Sequence, residues 1–289
     1  MAEKDITEKV LASFNDVFAD IVNVFLFNGK NKISEEELVD VPVHSMYRNV
    51  NDGLIHELEQ DVLKHWVKFG VKVALLGLEN QTGIDPNMPI RIMGYEGASY
   101  RSQLGEKKSY PVVNIVLYFG DKHWSAPKRL SEIMDIPKEL VPFVNDCKVN
   151  VFEISWLDEK TINKFQSDFK HVARFFSKKR NDPAYIPDDD EEIKHTDAIL
   201  KLFSTLTQDS RYEEVLLDSK KGEIKSMCDV AERLEKIGIE KGRAEGRAEE
   251  RDNFMQLLVR LSKDGEVLDV QRASADPEYL DELFRKYNI

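Results

Sequence analysis

"QDVLKHWVKFGVKVALLGLENQ", Gln60 to Gln81, reads as a β-hairpin. A first arm rich in polar residues starts near Asp61, a turn falls at Phe69-Gly70, and the second arm runs nearly all apolar to Gln81. An arm of that kind suits a central strand buried on both faces. Its end nevertheless delivers Glu79, Asn80 and Gln81. Side chains two apart on a strand leave on the same side, with Cα atoms roughly 6.5 Å apart, so Glu79 and Gln81 share a face. Asp61 opens the partner arm, and the three can meet at one end of a sheet. Two carboxylates, a carboxamide and backbone carbonyls make an oxygen-rich pocket suited to Mg²⁺ or Mn²⁺. A solvated turn or a cap is the plainer reading of the same residues.

Upstream, residues 7–28 read as a helix with Val10, Leu11, Phe14, Val17, Phe18, Ile21, Val22 and Phe25 on one face. Asp16, Asp20 and Asn23 share another stripe of it. Residues 39–50 read as a strand broken by Pro42. Downstream, "DPNMPIRIMGYEGASYRSQL" predicts a helix with Asp85 as N-cap and Pro86 at its first position. "YPVVNIVLYFG" (110–120) is the strongest strand signal, residues 148–157 form another, and 159–180 predict an amphipathic helix. The order is that of a mixed α/β core with a crossover helix between two of its strands. Residues 181–195, with prolines and an acidic run, read as a linker or exposed loop, and residues 196–289 as an all-helical tail. Apolar stripes at 227–237 and 254–261 are each too short to form a core alone, which predicts packing on the front domain or on a second copy. Gly238, Gly242 and Gly246, spaced by four, suggest a weakly packed helix between them.

Composition narrows the class. The chain has 289 residues, 42% hydrophobic and 33% charged, as expected of a soluble globular protein. Cys147 and Cys228 lack metal-ligand spacing, the start "MAEKDITEKV" lacks an apolar signal core, and no stretch approaches a membrane span. A cytoplasmic protein with reduced thiols is the expectation. The net charge of −12 is uneven: residues 1–180 carry 24 Lys and Arg against 26 Asp and Glu, whereas residues 181–289 carry 17 against 27. The front is therefore near neutral, and one of its faces can meet a phosphate backbone despite the low pI.

Taken together, "NDVFADIVNVFLFNG", "DVLKHW", "GLENQT", "MPIRIMGYEGASY" and "VLYFGDKHW" resemble the Rpn family. These are recombination-promoting nucleases of the PD-(D/E)XK superfamily that also carry a transposase label. The likeness runs to about Arg180. It implies a PD-(D/E)XK, restriction-endonuclease-like core over residues 1–180, a mixed sheet flanked by helices. It also implies Mg²⁺- or Mn²⁺-dependent hydrolysis of double-stranded DNA, in recombination, mobile elements or defence. By the resemblance, Asp61 and Glu79 are the catalytic, metal-binding acids, and Gln81 stands where the superfamily usually has lysine. A neutral amide positions water but supplies no positive charge. Asp20 is a further candidate ligand from the first helix. Arg91, Lys178, Lys179 and Arg180 are candidate phosphate contacts, although Arg91 can equally pair with Asp85 or Glu96. His123-Trp124 reads as structural. A homodimer or larger assembly through the tail is the expected partnership. The alternative is a nuclease-like interaction protein that binds without cutting and recruits a partner through its tail.

Overall fold

A computed structural model describes residues 9–42, 44–48, 55–187, 189–218, 223–264, 272, 276–287 and 289. The strands are β1 (Leu38–Asp40), β2 (His44–Arg48), β3 (Ile55–Glu59), β4 (Val62–Lys68), β5 (Val71–Gln81), β6 (Val112–Tyr118) and β7 (Asn150–Glu153). One sheet has five strands in the order β1-β4-β5-β6-β7, and β2 and β3 form a separate antiparallel pair. β1, β4 and β5 run antiparallel in turn, whereas β5, β6 and β7 are parallel. This is the mixed α/β sheet expected, flanked by helices.

The hairpin lies where the sequence placed it. Phe69 and Gly70 both have positive φ, 51° and 75°, the conformation that turns two antiparallel arms within two residues. β5 is buried from Ala74 to Asn80 because β4 and β6 flank it. Gly77 leaves room for Gln60 and Asn114 to reach across the strand, where Gln60 Nε2 donates to Asn114 Oδ1 at 2.6 Å. A parallel neighbour demands a crossover, and α2 (Met88–Ser102) supplies it between β5 and β6. The strand expected over 39–50 is two strands, β1 and β2, with Pro42 between them.

Two expectations need correction. The crossover helix starts at Met88 and not at Asp85. Asp85 Oδ1 accepts from the Asn87 N–H at 2.8 Å, closing a turn two residues on, and Pro89 occupies the first helical turn. The long helix at 159–180 is two helices, α3 (Glu159–Ile162) and α4 (Phe169–Asn181). Between them the N–H groups of Gln166 and Ser167 bond to Asp20 and are lost to a helical ladder.

α1 (Asn15–Phe27), preceded by a helical turn at 9–13, buries Val17, Phe18, Ile21 and Val22, the face predicted. Lys64 of β4 is fully buried beneath it, donating to Asn15 Oδ1 at 2.7 Å and paired with Asp40.

The chain divides into two compact units, residues 1–231 and 232–289, the division falling within α7 (Met227–Asp264). The first unit therefore runs past Arg180. α5 (Thr196–Thr207) and α6 (Arg211–Asp218) belong to it because Phe203 stacks on Phe175 of α4 with ring centroids 4.1 Å apart. The acidic stretch before α5 is tied to α4: Asp189 lies 2.9 Å from buried His171, and Glu191 lies 2.7 Å from Lys170. In the second unit, Leu257 and Leu261 of α7 pack with Leu283 of α8 (Pro277–Tyr287), so that apolar stripe finds its partner within the tail. Gly238, Gly242 and Gly246 lie on an exposed run of α7 with open space where a Cβ would stand. Among the described residues no helix is long and apolar enough to cross a membrane.

Candidate active site

The antiparallel register pairs Val62 with Leu78, which sets Asp61 across from Glu79 at the end of the hairpin. Asp61 Oδ2 accepts from the Asn80 backbone N–H at 2.6 Å, a hydrogen bond that fixes one carboxylate against the strand carrying the other. Its Oδ1 lies 3.6 Å from Lys9 Nζ, and both side chains are mostly buried. Glu79 is 2% exposed. Its Oε1 accepts from Gln81 Nε2 at 3.2 Å and pairs with the Arg91 guanidinium, while its Oε2 is buried without a hydrogen-bond partner. Arg91 reaches it from the first turn of α2, braced by Asp85 Oδ2 at 3.1 Å and the Tyr95 hydroxyl at 3.2 Å. The structure thus gathers Asp61, Glu79 and Gln81 and adds Arg91, Tyr95 and Lys9.

Burial dominates the electrostatics. It pushes the Glu79 carboxyl up to about 8, the Asp61 charge pushes the same way, and Arg91 and Lys9 oppose both. Asp61 is also raised by burial, against the pull of the Asn80 N–H and Lys9. Burial, with the Glu79 charge beside it, lifts the Tyr95 hydroxyl to about 12, so it stays a neutral donor and acceptor. Two acids that both resist ionisation hold a proton readily, and a cation of higher charge relieves the cost. Among the described residues no group of three or more His, Cys, Asp or Glu is arranged to hold a metal. Mg²⁺ needs only one or two carboxylates with water completing its shell, and the unpartnered Glu79 Oε2 with Asp61 meets that need.

Other sequence candidates are placed elsewhere. Asp20 does not join the two acids. Its Oδ2 accepts from the N–H groups of Gln166 and Ser167 at 2.8 and 2.7 Å and from Ser167 Oγ at 2.7 Å, because its helix face turns toward the α3–α4 corner. Asn23, on the same stripe, latches the loop at Lys32 and Ile33. Lys178 pairs with Glu159 at 3.2 Å, and Lys179 donates to the Pro183 carbonyl at 2.9 Å. Arg180 donates to the Ser155 carbonyl at 3.0 Å and stacks over Trp156 at 3.8 Å. His123 stacks on the same Trp156 and pairs with Glu153 at 2.8 Å, and the Trp124 N–H donates to Glu153, a structural set.

Sequence reading missed the Asn80 N–H, Lys9 and the Arg91–Glu79 pair. No local signal marks Lys9. The Arg91 pairing follows from a crossover helix whose first turn must lie beside the strand end it leaves.

No curated protein and no solved structure matches the chain. A family model does match, over residues 73–184, a span that holds Glu79, Gln81 and Arg91 but stops short of Asp61 and Lys9. That model is described as "Putative transposase, YhgA-like", and residues 73–184 of the chain are similar to it.

Proposed function

We propose that the protein is a metal-dependent endonuclease that hydrolyses phosphodiesters of double-stranded DNA. One observation carries the reading: Asp61, just before β4, and Glu79 of β5 are held together in burial that raises the cost of charging both, with Glu79 Oε2 left unpartnered. Burial of that kind costs stability unless it serves a ligand. When bound, Mg²⁺ or Mn²⁺ lowers the pKa of water and neutralises charge on the phosphate oxygens. Asp61 and Glu79 are the groups that hold it. Gln81, fixed by its hydrogen bond to Glu79, offers its amide oxygen to orient the attacking water. In the reaction a water oxygen bonds to phosphorus and gives up a proton to solvent, one ester P–O bond breaks, and the leaving oxygen takes a proton from solvent.

Arg91 favours a second reading. It is paired with Glu79 at the place where a cation would bind, an arrangement that suits a protein that binds DNA or another protein without cutting it. The test is incubation of the purified protein with plasmid DNA in Mg²⁺, Mn²⁺, Ca²⁺ or EDTA. Cleavage by the parent in Mg²⁺ or Mn²⁺ only, lost in Asp61→Ala and Glu79→Ala and weakened in Gln81→Ala, is the expected result. Cutting by Glu79→Ala at the parent rate, or no cutting by the parent in any metal, leaves the binding reading in possession.

A further inference from the structure

We infer that the solvent-facing side of α2 is a two-fold contact between two copies of this chain. Five exposed positions of that helix and the turn after it, Ile90, Met93, Gly97, Tyr100 and Leu104, fall within an arc of about 80° at roughly 100° per residue. Ile90, Met93 and Tyr100 are 53%, 47% and 44% exposed, and Leu104 is 84% exposed. The opposite side of α2 already holds the helix on the sheet through Met88, Ile92 and Tyr95. Packing within the fold therefore has no use for the stripe. Apolar side chains scattered singly over a surface need no explanation, but four in one row form a patch.

The spacing argues for a second copy as the occupant. Counted from Gly97, the apolar side chains stand at −7, −4, +3 and +7, a pattern that nearly reproduces itself when the helix is reversed. In an antiparallel pair crossing at the glycine, Ile90 of each copy meets Leu104 of the other, and Met93 meets Tyr100. That self-complementarity is what an isologous two-fold contact requires. Gly97 has open space where a Cβ would stand, which lets two backbones approach closely, whereas in a lone solvated helix it only weakens the helix. Tyr100 is already set, because its hydroxyl accepts from the Val112 N–H at 3.2 Å. Charge permits the pairing: the chain carries −12, yet between Pro86 and Gly105 the one acid is Glu96, which is turned to Asn114 and Cys147. Area permits it too. The four side chains expose on the order of 400 Å², close to the apolar share of the roughly 800 Å² that each partner gives a standard interface. Arg91 lies six residues from Gly97, so the two candidate sites of such a pair stand about 18 Å apart along the helices.

The test is the oligomeric state of the full chain, measured by sedimentation velocity at micromolar concentration for the parent and Met93→Glu. The parent is expected at about 67 kDa, twice the 33.4 kDa of one chain. Met93→Glu should weaken dimerisation at least about tenfold, because it drives two carboxylates into the apolar seam. Its circular dichroism should match the parent's, since Met93 faces solvent in the single chain. Gly97→Cys should be joined to its partner by a short bismaleimide, at a yield that the parent, with Cys147 and Cys228 alone, does not approach. A dimer that persists in Met93→Glu forms elsewhere, the tail included, and overturns the assignment. If Met93→Glu is unfolded, the Gly97→Cys crosslink decides, and its absence overturns the assignment. A monomeric parent also overturns it, whether the Gly97→Cys thiol is reactive, as on a bare helix, or resists alkylation, as on a helix covered by the chain's own tail. DNA cleavage enters none of these readouts, so the endonuclease reading stands or falls separately.

Discussion

Glu79 gives the sharpest quantitative test, because its burial has a sign as well as a size. In an unfolded chain its carboxyl titrates near 4.5, whereas in the folded site it titrates near 8. Between those values the native state binds the proton more tightly, so this group's contribution to stability is full below about 4.5 and is lost as pH rises toward 8. Each pKa unit is worth about 1.4 kcal/mol, so the loss across that window has an upper bound of roughly 5 kcal/mol. Arg91 already opposes the shift. Glu79→Gln keeps the shape and removes the titration. The Arg91 partner it loses adds an offset that does not vary with pH across this window. Urea midpoints in EDTA at pH 5, 6, 7, 8 and 9 should therefore show the variant gaining on the parent as pH rises, by up to several kcal/mol, and levelling near pH 8. With saturating Mg²⁺ the gain should shrink or reverse, because the cation stabilises the ionised parent. A parent-minus-variant difference constant from pH 5 to 9 would refute the argument that burial holds the proton on Glu79.

Two further expectations concern the frame around the site. Asp20→Ala should cost about 2–3 kcal/mol in denaturant unfolding, since three donors lose a charged acceptor, while Ca²⁺ affinity stays at the parent value. Weakened cation binding would return Asp20 to the ligand set. Gly77→Ala should cost about 1–3 kcal/mol, because its Cβ would collide with the Gln60 and Asn114 amides where they meet. A thermal midpoint equal to the parent's would show that those amides move aside freely.

The hairpin was legible because its signals are local: a run of apolar residues, a glycine at the turn, and alternation that puts Glu79 and Gln81 on one face. The same locality explains the pairing of Asp61 with Glu79, which needs only the register of adjacent arms. The resemblance supplied the roles of those residues, which spacing alone left open between a cap and a site. Asp85 was misplaced because an aspartate before a proline signals a helix cap and a turn equally well, and here the turn won. Asp20 could not be placed, because its partners lie 146 and 147 residues away and no periodicity reports them. Lys9 was hidden for the same reason, an ion pair spanning helix to sheet. The boundary after Arg180 was set on a shift in composition, whereas the packing of Phe175 on Phe203 carries the first unit further.

The tie from Asp20 to Gln166 and Ser167, joined by that of Asp16 to His195 at 3.0 Å, also bears on the order of assembly during synthesis. The hairpin, its crossover helix and β6 are complete once the first 118 residues have left the ribosome. The helix that precedes them in sequence has no anchor from the α3–α4 corner at Asp20 until residue 166 has emerged, and none from His195 at Asp16 until residue 195. Contacts so distant close late and slowly, since the loop entropy must be met before they form. A nascent or truncated chain can therefore carry Asp61 and Glu79 in register while α1, tied to β4 through Asn15 and Lys64, still lacks the two anchors that later segments supply.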